Sequence, residues 1–273
     1  MRAGTDGPRP PAATELERSW GTIVADVTGH SEEAVVLLHP LAMSRAFWAP
    51  AARALAARFR VISVDARGHG DSRWDGTPFS IGDLADDVAA VCEELAPAGA
   101  HIVGMSMGGC VALSLAGGRP DLVRGLVLAD TTADYGPDKA ANWAARAAAA
   151  TAKPRRDQLA FQVDRWFSPA FAGRAPAEVK RVCDIFAGTD SRAHAQACRA
   201  LGAFDGTGFL PRILCRALAL VGEHDQATPP AMARALRDGI AAAELLVIPG
   251  VRHFALIEAR ERWAQVSGWL AHR

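Results

Sequence analysis

The chain has 273 residues, half of them hydrophobic, and 30 basic against 30 acidic residues give a formal net charge of zero. That length allows one large α/β domain with an ample core, or two small ones, and the neutral balance argues against nucleic acid or an anionic membrane as the main partner. No apolar run reaches the ~18 residues of a membrane span. The five cysteines, scattered and without C-x-x-C spacing, read as buried reduced thiols of a cytoplasmic protein.

Residues 1–15, which open Met1-Arg-Ala-Gly-Thr-Asp-Gly-Pro-Arg-Pro-Pro11, lack the apolar core of a signal peptide and are expected to form a disordered tail. Trp20–Val27 reads as a strand, with a turn at Thr28-Gly29-His30. Ala34–Leu38 is a continuous apolar run, as expected of a strand buried on both faces of a mainly parallel sheet, and it ends in His39-Pro40-Leu41. Ser44 is expected to cap a helix running to about Ala57. The next strand, Val61–Val64, runs into Asp65-Ala-Arg67-Gly68-His69-Gly70-Asp71-Ser72. Ser80 and Asp83 fit a capping box for a helix that carries Leu84, Val88, Val91 and Leu95 at helical spacing.

The following stretch organises the rest. Ile102 and Val103 lead into Gly104-Met105-Ser106-Met107-Gly108, and an apolar, helix-compatible segment (Val111–Ala116) comes next. A serine between strand and helix, with glycine two residues away on either side, is the pattern of a nucleophile elbow. So tight a turn strains the serine and leaves no room for side chains beside it. The helix N-terminus behind it favours developing negative charge. Leu122–Leu128 is a further strand, ending at Asp130.

From Ala133 to Gly208 the strand pattern stops, and helices are predicted at about 138–151, 155–166, 176–187 and 191–203. An insertion of this size is expected to form a helical lid over the carboxyl edge of the sheet. The alternation resumes with strand Ala217–Val221, a loop through Asp225 to Pro229-Pro230, and a helix to about Asp238. Strand Glu244–Ile248, the loop Pro249-Gly-Val-Arg-His253-Phe254 and a last helix with Trp263, Val266, Trp269 and Leu270 complete the chain. The expected fold is α/β, a mainly parallel central sheet with helices on both faces. Its core is 16–132 and 209–273, and the lid is 133–208.

A serine hydroxyl is a poor nucleophile at neutral pH and needs a base within hydrogen-bond reach, itself oriented by a carboxylate. Ser106, Asp225 and His253 occur in the order such a fold uses, each after a predicted strand. Asp130 and Glu223 compete with Asp225 for the acid. His39 and His69 are expected to hold loop backbone, and His30, His101, His194 and His272 to be ordinary. A base at His224 would leave Asp225 nothing to orient. The N–H groups of Met107 and Leu41 are the expected oxyanion donors, since Pro40 has none. Trp143, Trp166, Phe167, Phe171 and Phe254 are expected to line the substrate pocket, with Arg67 or Arg252 near its mouth to hold a carboxylate. Neither a metal nor a nucleotide cofactor is implied, because no G-x-G-x-x-G or G-x-x-x-x-G-K pattern occurs.

His39-Pro-Leu, Asp65-Ala-Arg-Gly-His-Gly-Asp-Ser72, Gly104-Met-Ser-Met-Gly-Gly109, Val221-Gly-Glu-His-Asp225 and His253 together resemble the α/β-hydrolase fold superfamily, from about residue 20 to the end. Pro40 departs from the glycine usual in that family. Leu126–Ala133, Arg165-Trp-Phe-Ser-Pro-Ala-Phe171, Ala197-Cys198 and Asp225–Pro230 are similar to the 3-oxoadipate enol-lactonase group, which usually lacks a histidine at the place of His39. The resemblance implies a cofactor-independent serine hydrolase acting on a small-molecule ester or lactone. A carbon–carbon bond hydrolase, a perhydrolase-like enzyme and a non-catalytic ligand-binding member of the fold are the alternatives.

Overall fold

In the computed structural model, which describes residues 13–272, the apolar runs become a single nine-stranded sheet. Its strands are β1 (Ala13–Arg18), β2 (Gly21–Thr28), β3 (Ala34–Leu38), β4 (Arg60–Val64), β5 (Arg73–Trp74), β6 (Ala100–Met105), β7 (Val123–Ala129), β8 (Arg216–Gly222) and β9 (Ala243–Ile248). The order is β1-β2-β4-β3-β6-β7-β8-β9, with β5 on β2. From β4 to β9 every neighbouring pair is parallel, while β1 and β2 are antiparallel to their neighbours. Parallel strands need crossovers, and these supply helices to both faces.

The helices are α1 (Ala49–Leu55), α2 (Ile81–Leu95), α3 (Met107–Gly118), α4 (Lys139–Ala152), α5 (Leu159–Trp166), α6 (Pro169–Arg174), α7 (Pro176–Gly188), α8 (Ser191–Ala203), α9 (Pro230–Gly239), α10 (Ala255–Glu258) and α11 (Arg262–Ala271). Among the described residues, no helix is long and apolar enough to cross a membrane. The sheet's two faces carry separate cores. One gathers Val36, Ile62, Ile102 and Leu126 with α2 and α3, and the other gathers Leu37, Val103, Val127 and Leu220 with α1 and α11. Helix α2 starts on the predicted capping box: Ser80 Oγ accepts from Asp83 N–H, and the Asp83 carboxylate accepts from Ser80 N–H.

The structure corrects several expectations. Residues 13–15, assigned to the tail, belong to β1, whose side chains are mostly exposed and so leave no apolar trace in the sequence. The rest of the tail lies outside the described residues. Trp20 sits in the hairpin turn between β1 and β2. The helix expected from Ser44 is instead a 3-10 turn, Arg45–Trp48, followed by α1, and the Ser44 side chain makes no cap bond. Pro50 explains the break: without an N–H it suits only the first turn of an α-helix. The last helix is split at 259–261, where Ala259 leaves helical backbone. Between β7 and β8 the insertion is helical, α4 to α8, with α6 as an unforeseen addition.

Candidate active site

The carboxyl ends of β3, β6, β7, β8 and β9 lie side by side, so the residues that follow them meet at one edge of the sheet. Ser106 immediately follows β6, at φ 53° and ψ −116°, a left-handed backbone that non-glycine residues rarely adopt. Four hydrogen bonds hold it there. Its N–H donates to Ala129 O (3.0 Å), and its carbonyl accepts from Gly109 N–H (2.9 Å), Cys110 N–H (3.1 Å) and Thr131 Oγ1 (2.7 Å). The glycines are steric necessities. A Cβ on Gly104 would stand 2.2 Å from Gly108 O, and one on Gly108 would stand 2.2 Å from Leu38 O.

His253, in the loop after β9, brings Nε2 to 3.0 Å from Ser106 Oγ and Nδ1 to 2.8 Å from Asp225 Oδ2. Asp225, after β8, also accepts from Thr228 Oγ1 (2.7 Å), Thr228 N–H (3.0 Å) and Ala227 N–H (2.7 Å). Burial pushes its carboxyl up, but His253 and the Thr228 bonds outweigh that and hold it below the ordinary carboxylate value. All three side chains are buried. A hydroxyl, an imidazole and a carboxylate in this chain can pass the serine proton to Nε2 while Nδ1–H stays on the carboxylate.

The rejected alternatives find other work. Asp130, fully buried at φ 46°, accepts from Gly222 N–H (2.9 Å) and Ala255 N–H (3.3 Å), and so ties the end of β8 to α10. Burial, then the charge of Asp225, raises its carboxyl well above the ordinary value. Glu223 is exposed and accepts from Gly250 N–H. His39 holds loop backbone, as expected: Nδ1 lies 2.8 Å from Pro40 O, and Nε2 accepts from Ala66 N–H at 3.0 Å. Burial lowers its pKa to about 4, so the ring is neutral.

Leu41 lines the cavity over Ser106. Met107, as the first residue of α3, has an N–H with no intrahelical acceptor. The Leu41 loop is held by Ala42 at φ 58°, whose carbonyl accepts from Thr189 Oγ1 at the end of α7. The insertion also grips the His253 loop. Phe254 N–H donates to Trp166 O (3.0 Å), and buried Glu258 accepts from both Ser168 N–H (3.1 Å) and Arg252 N–H (2.8 Å).

Trp143, Trp166 and Phe254 line the cavity. Phe167 and Phe171 do not; they stack on one another within the core. Arg67 and Arg252 are not at the cavity either. Arg67 pairs with Asp87 at 2.5 Å and lies over the Trp20 ring, while Arg252 pairs with Asp164 at 2.7 Å. The arginines that do line it are Arg146 on α4 and Arg165 on α5. Among the described residues neither makes a hydrogen bond or ion pair; their guanidinium groups rest on the rings of Trp143 (4.5 Å) and Phe161 (5.4 Å). Tyr135, Gln162, His194 and Thr228 also reach the cavity and were not anticipated there. The trace in the sequence was faint: Arg146 falls on the helical stripe of buried Trp143, Ala147 and Ala150. The cavity over Ser106 is about 40 Å³. It shares Tyr135, Trp143, Arg146 and Arg165 with an outer cleft of about 370 Å³.

The family model for the alpha/beta hydrolase fold matches residues 33–260. The chain belongs to the α/β-hydrolase fold family. It is 28% identical over 256 residues to 3-oxoadipate enol-lactonase 1 of Acinetobacter baylyi, covering 93% of this chain and 94% of that one. Among solved structures, the enol-lactonase of Burkholderia xenovorans LB400 superposes with a TM-score of 0.89 at 29% identity, covering 95% of this chain and all (100%) of that one. A thermophilic esterase from Thermogutta terrifontis, solved with malate bound, gives a TM-score of 0.87 at 26% identity and covers 95% and 98%.

Proposed function

We propose that this α/β-hydrolase fold protein is a serine hydrolase that cleaves a carboxylic ester or lactone through an acyl-enzyme. The observation that carries the reading is the continuous hydrogen-bonded chain Ser106 Oγ, His253, Asp225, at 3.0 and 2.8 Å. Ser106 Oγ attacks the carbonyl carbon and its proton passes to His253 Nε2. Asp225 keeps the other ring proton on Nδ1 and balances the imidazolium charge. The N–H groups of Met107 and Leu41 receive the oxyanion, a contribution of roughly 3–4 kcal/mol per donor. When the tetrahedral intermediate collapses, the C–O bond to the alcohol breaks and His253 returns the proton to that oxygen. In a lactone the freed hydroxyl stays tethered to the acyl group. Water, deprotonated by His253, then attacks the acyl carbon; the bond to Ser106 Oγ breaks, and His253 returns the proton to that oxygen.

Helices α4 to α8 serve as the lid. The inner cavity is far smaller than the 300–1,000 Å³ or so of ordinary ligand sites, so a substrate enters from the outer cleft as these helices shift. The substrate class favoured is one bearing a carboxylate, an enol-lactone being one example. The supporting observation is two guanidinium groups facing the site without an acidic partner, a role the sequence had suggested for Arg67 or Arg252.

A burst of nitrophenol from a 4-nitrophenyl ester, with an acyl adduct located on Ser106 by mass spectrometry, is the expected result. Ser106→Ala should lose at least about 10⁴-fold in kcat; a variant that kept full activity would remove Ser106 from the mechanism. Arg146→Met and Arg165→Met should each raise KM for a carboxylated ester about tenfold and leave a neutral ester of the same length nearly unaffected.

A further inference from the structure

His194 on α8 is 3% exposed, and its ring lines the cavity over Ser106. Its Nδ1 lies 2.5 Å from Nη1 of Arg155. A guanidinium has only N–H donors, so Nδ1 accepts and the ring proton resides on Nε2. Arg155 is itself fixed. Its Nε and Nη2 both donate to Phe186 O, at 3.2 and 2.8 Å, and its guanidinium carbon lies 3.6 Å from the centre of the Phe186 ring. Among the described residues Arg155 makes no ion pair, and His194 Nε2 has no hydrogen-bond partner. His194 is not among the residues with a buried, unpartnered side-chain atom, so its Nε2–H is open to a water or a ligand group at the cavity.

We infer that Arg155 acts as a tautomer lock, so that His194 offers a permanent, uncharged Nε2–H donor to an acceptor oxygen at the end of the acyl group remote from the scissile ester. This rests on the serine-hydrolase reading of the site and adds a specificity-determining residue to it, with Arg155 as a positioning residue.

The surroundings agree. The groups that bear on His194 are Arg155, His69 beside it from the loop after β4, and Arg146 on α4; none is acidic. Burial first, then Arg155, lowers its pKa to about 2, so the ring is uncharged at any working pH. Asp190, at the N-cap of α8, bears on Arg155 and favours its charged form, although burial lowers that group to about 10.

The test uses two probes with acyl chains of equal length: mono-4-nitrophenyl succinate, whose acyl end carries acceptor oxygens, and 4-nitrophenyl butyrate, whose acyl end carries none. The measured quantity is the succinate-to-butyrate ratio of kcat/KM, in which the titration of the triad cancels. His194→Leu should lower the ratio about tenfold, mostly through KM for the succinate ester, and His194→Gln, which keeps a donor near the Nε2 position, should restore it. In wild type the ratio should be flat over about pH 5.5 to 8. In Arg155→Met burial still keeps the ring uncharged, but Nδ1 loses its donor and either ring nitrogen can carry the proton, so the ratio should fall part of the way toward that of His194→Leu. Arg155→Lys, which can still donate to Nδ1, should keep the wild-type ratio. An unchanged ratio in His194→Leu overturns the contact. A wild-type ratio in folded Arg155→Met overturns the lock, as does ¹⁵N NMR showing His194 protonated on Nδ1 in wild type. The spectrum is independent of turnover. If Ser106→Ala were fully active, the mechanism would fail while the tautomer remained decided by NMR.

Discussion

At the scale of the residue, the strongest discrimination is between carboxylates of one type at adjacent strand ends. Asp225 and Asp130 both follow buried strands, and spacing alone favours neither decisively. Hydrogen-bond direction separates them: Asp225 faces an imidazole, whereas Asp130 faces only backbone N–H groups. Asp225→Asn should therefore leave folding nearly intact and lower kcat by about 10⁴, since the amide favours the wrong tautomer of His253. Asp130→Asn keeps a residue that tolerates positive φ but turns an NH₂ toward a backbone donor. It should lose about 2 kcal/mol of stability in chemical denaturation. A kcat loss as large as that of Asp225→Asn would reverse the assignment. Thr228 was illegible in the sequence because its role depends on one turn of backbone after Asp225. With its hydroxyl 2.7 Å from Asp225 Oδ2, Thr228→Val should cost about tenfold in kcat, roughly one charge-assisted hydrogen bond. That Ser106, Asp225 and His253 meet at one sheet edge was legible because buried strands and the elbow glycines mark where chain order must converge. Arg146 and Arg165 were not, since an arginine on a helix ordinarily faces water.

At the scale of the element, the strand–elbow–helix unit of β6 and α3 is the most constrained part of the fold. Its backbone runs so close to β3 and to its own first turn that glycine is the one residue without a Cβ to collide. Gly108→Ala would place a methyl 2.2 Å from Leu38 O and 2.8 Å from His39 O, backbone atoms that cannot swing aside. The sheet would have to part locally, at a cost above about 3 kcal/mol. The expected outcome is insoluble protein, or a folded remnant with Ser106 out of reach of His253; wild-type melting and turnover would refute the constraint. Elements were legible where burial imposed a period and faint where it did not. β3 and β6 announced themselves as apolar runs. β1 is an edge strand with exposed side chains, and the turn ahead of α1 follows from where Pro50 can be accommodated.

At the scale of the whole molecule, the parallel strands β3, β4 and β6 to β9 and their crossovers follow from alternation. The arrangement of α4 to α8 does not, because helices packed on one another leave their register to side-chain fit. Burying neutral histidines is a further global consequence. His39, His69 and His194 are lowered from 6.5 to about 4, about 3 and about 2, in each case chiefly by burial. Below pH 6.5 the unfolded chain takes up protons that the folded chain refuses. Folding is thus opposed increasingly as pH falls, by on the order of 1.4 kcal/mol per histidine per pH unit, until each folded-state pKa is reached. The raised carboxyls of Asp65, Asp87 and Asp130 act in the opposite sense, since their folded forms hold protons longer than the unfolded chain does. A difference measurement isolates one histidine. Gln at position 39 can accept from Ala66 N–H and donate to Pro40 O, yet does not titrate. Between about pH 7.5 and 4.5, His39→Gln should lose about 2.5 kcal/mol less unfolding free energy than wild type in urea titrations. Parallel curves for the two proteins would mean that His39 is charged in the folded state, and its ring would then need a carboxylate that the loop does not supply.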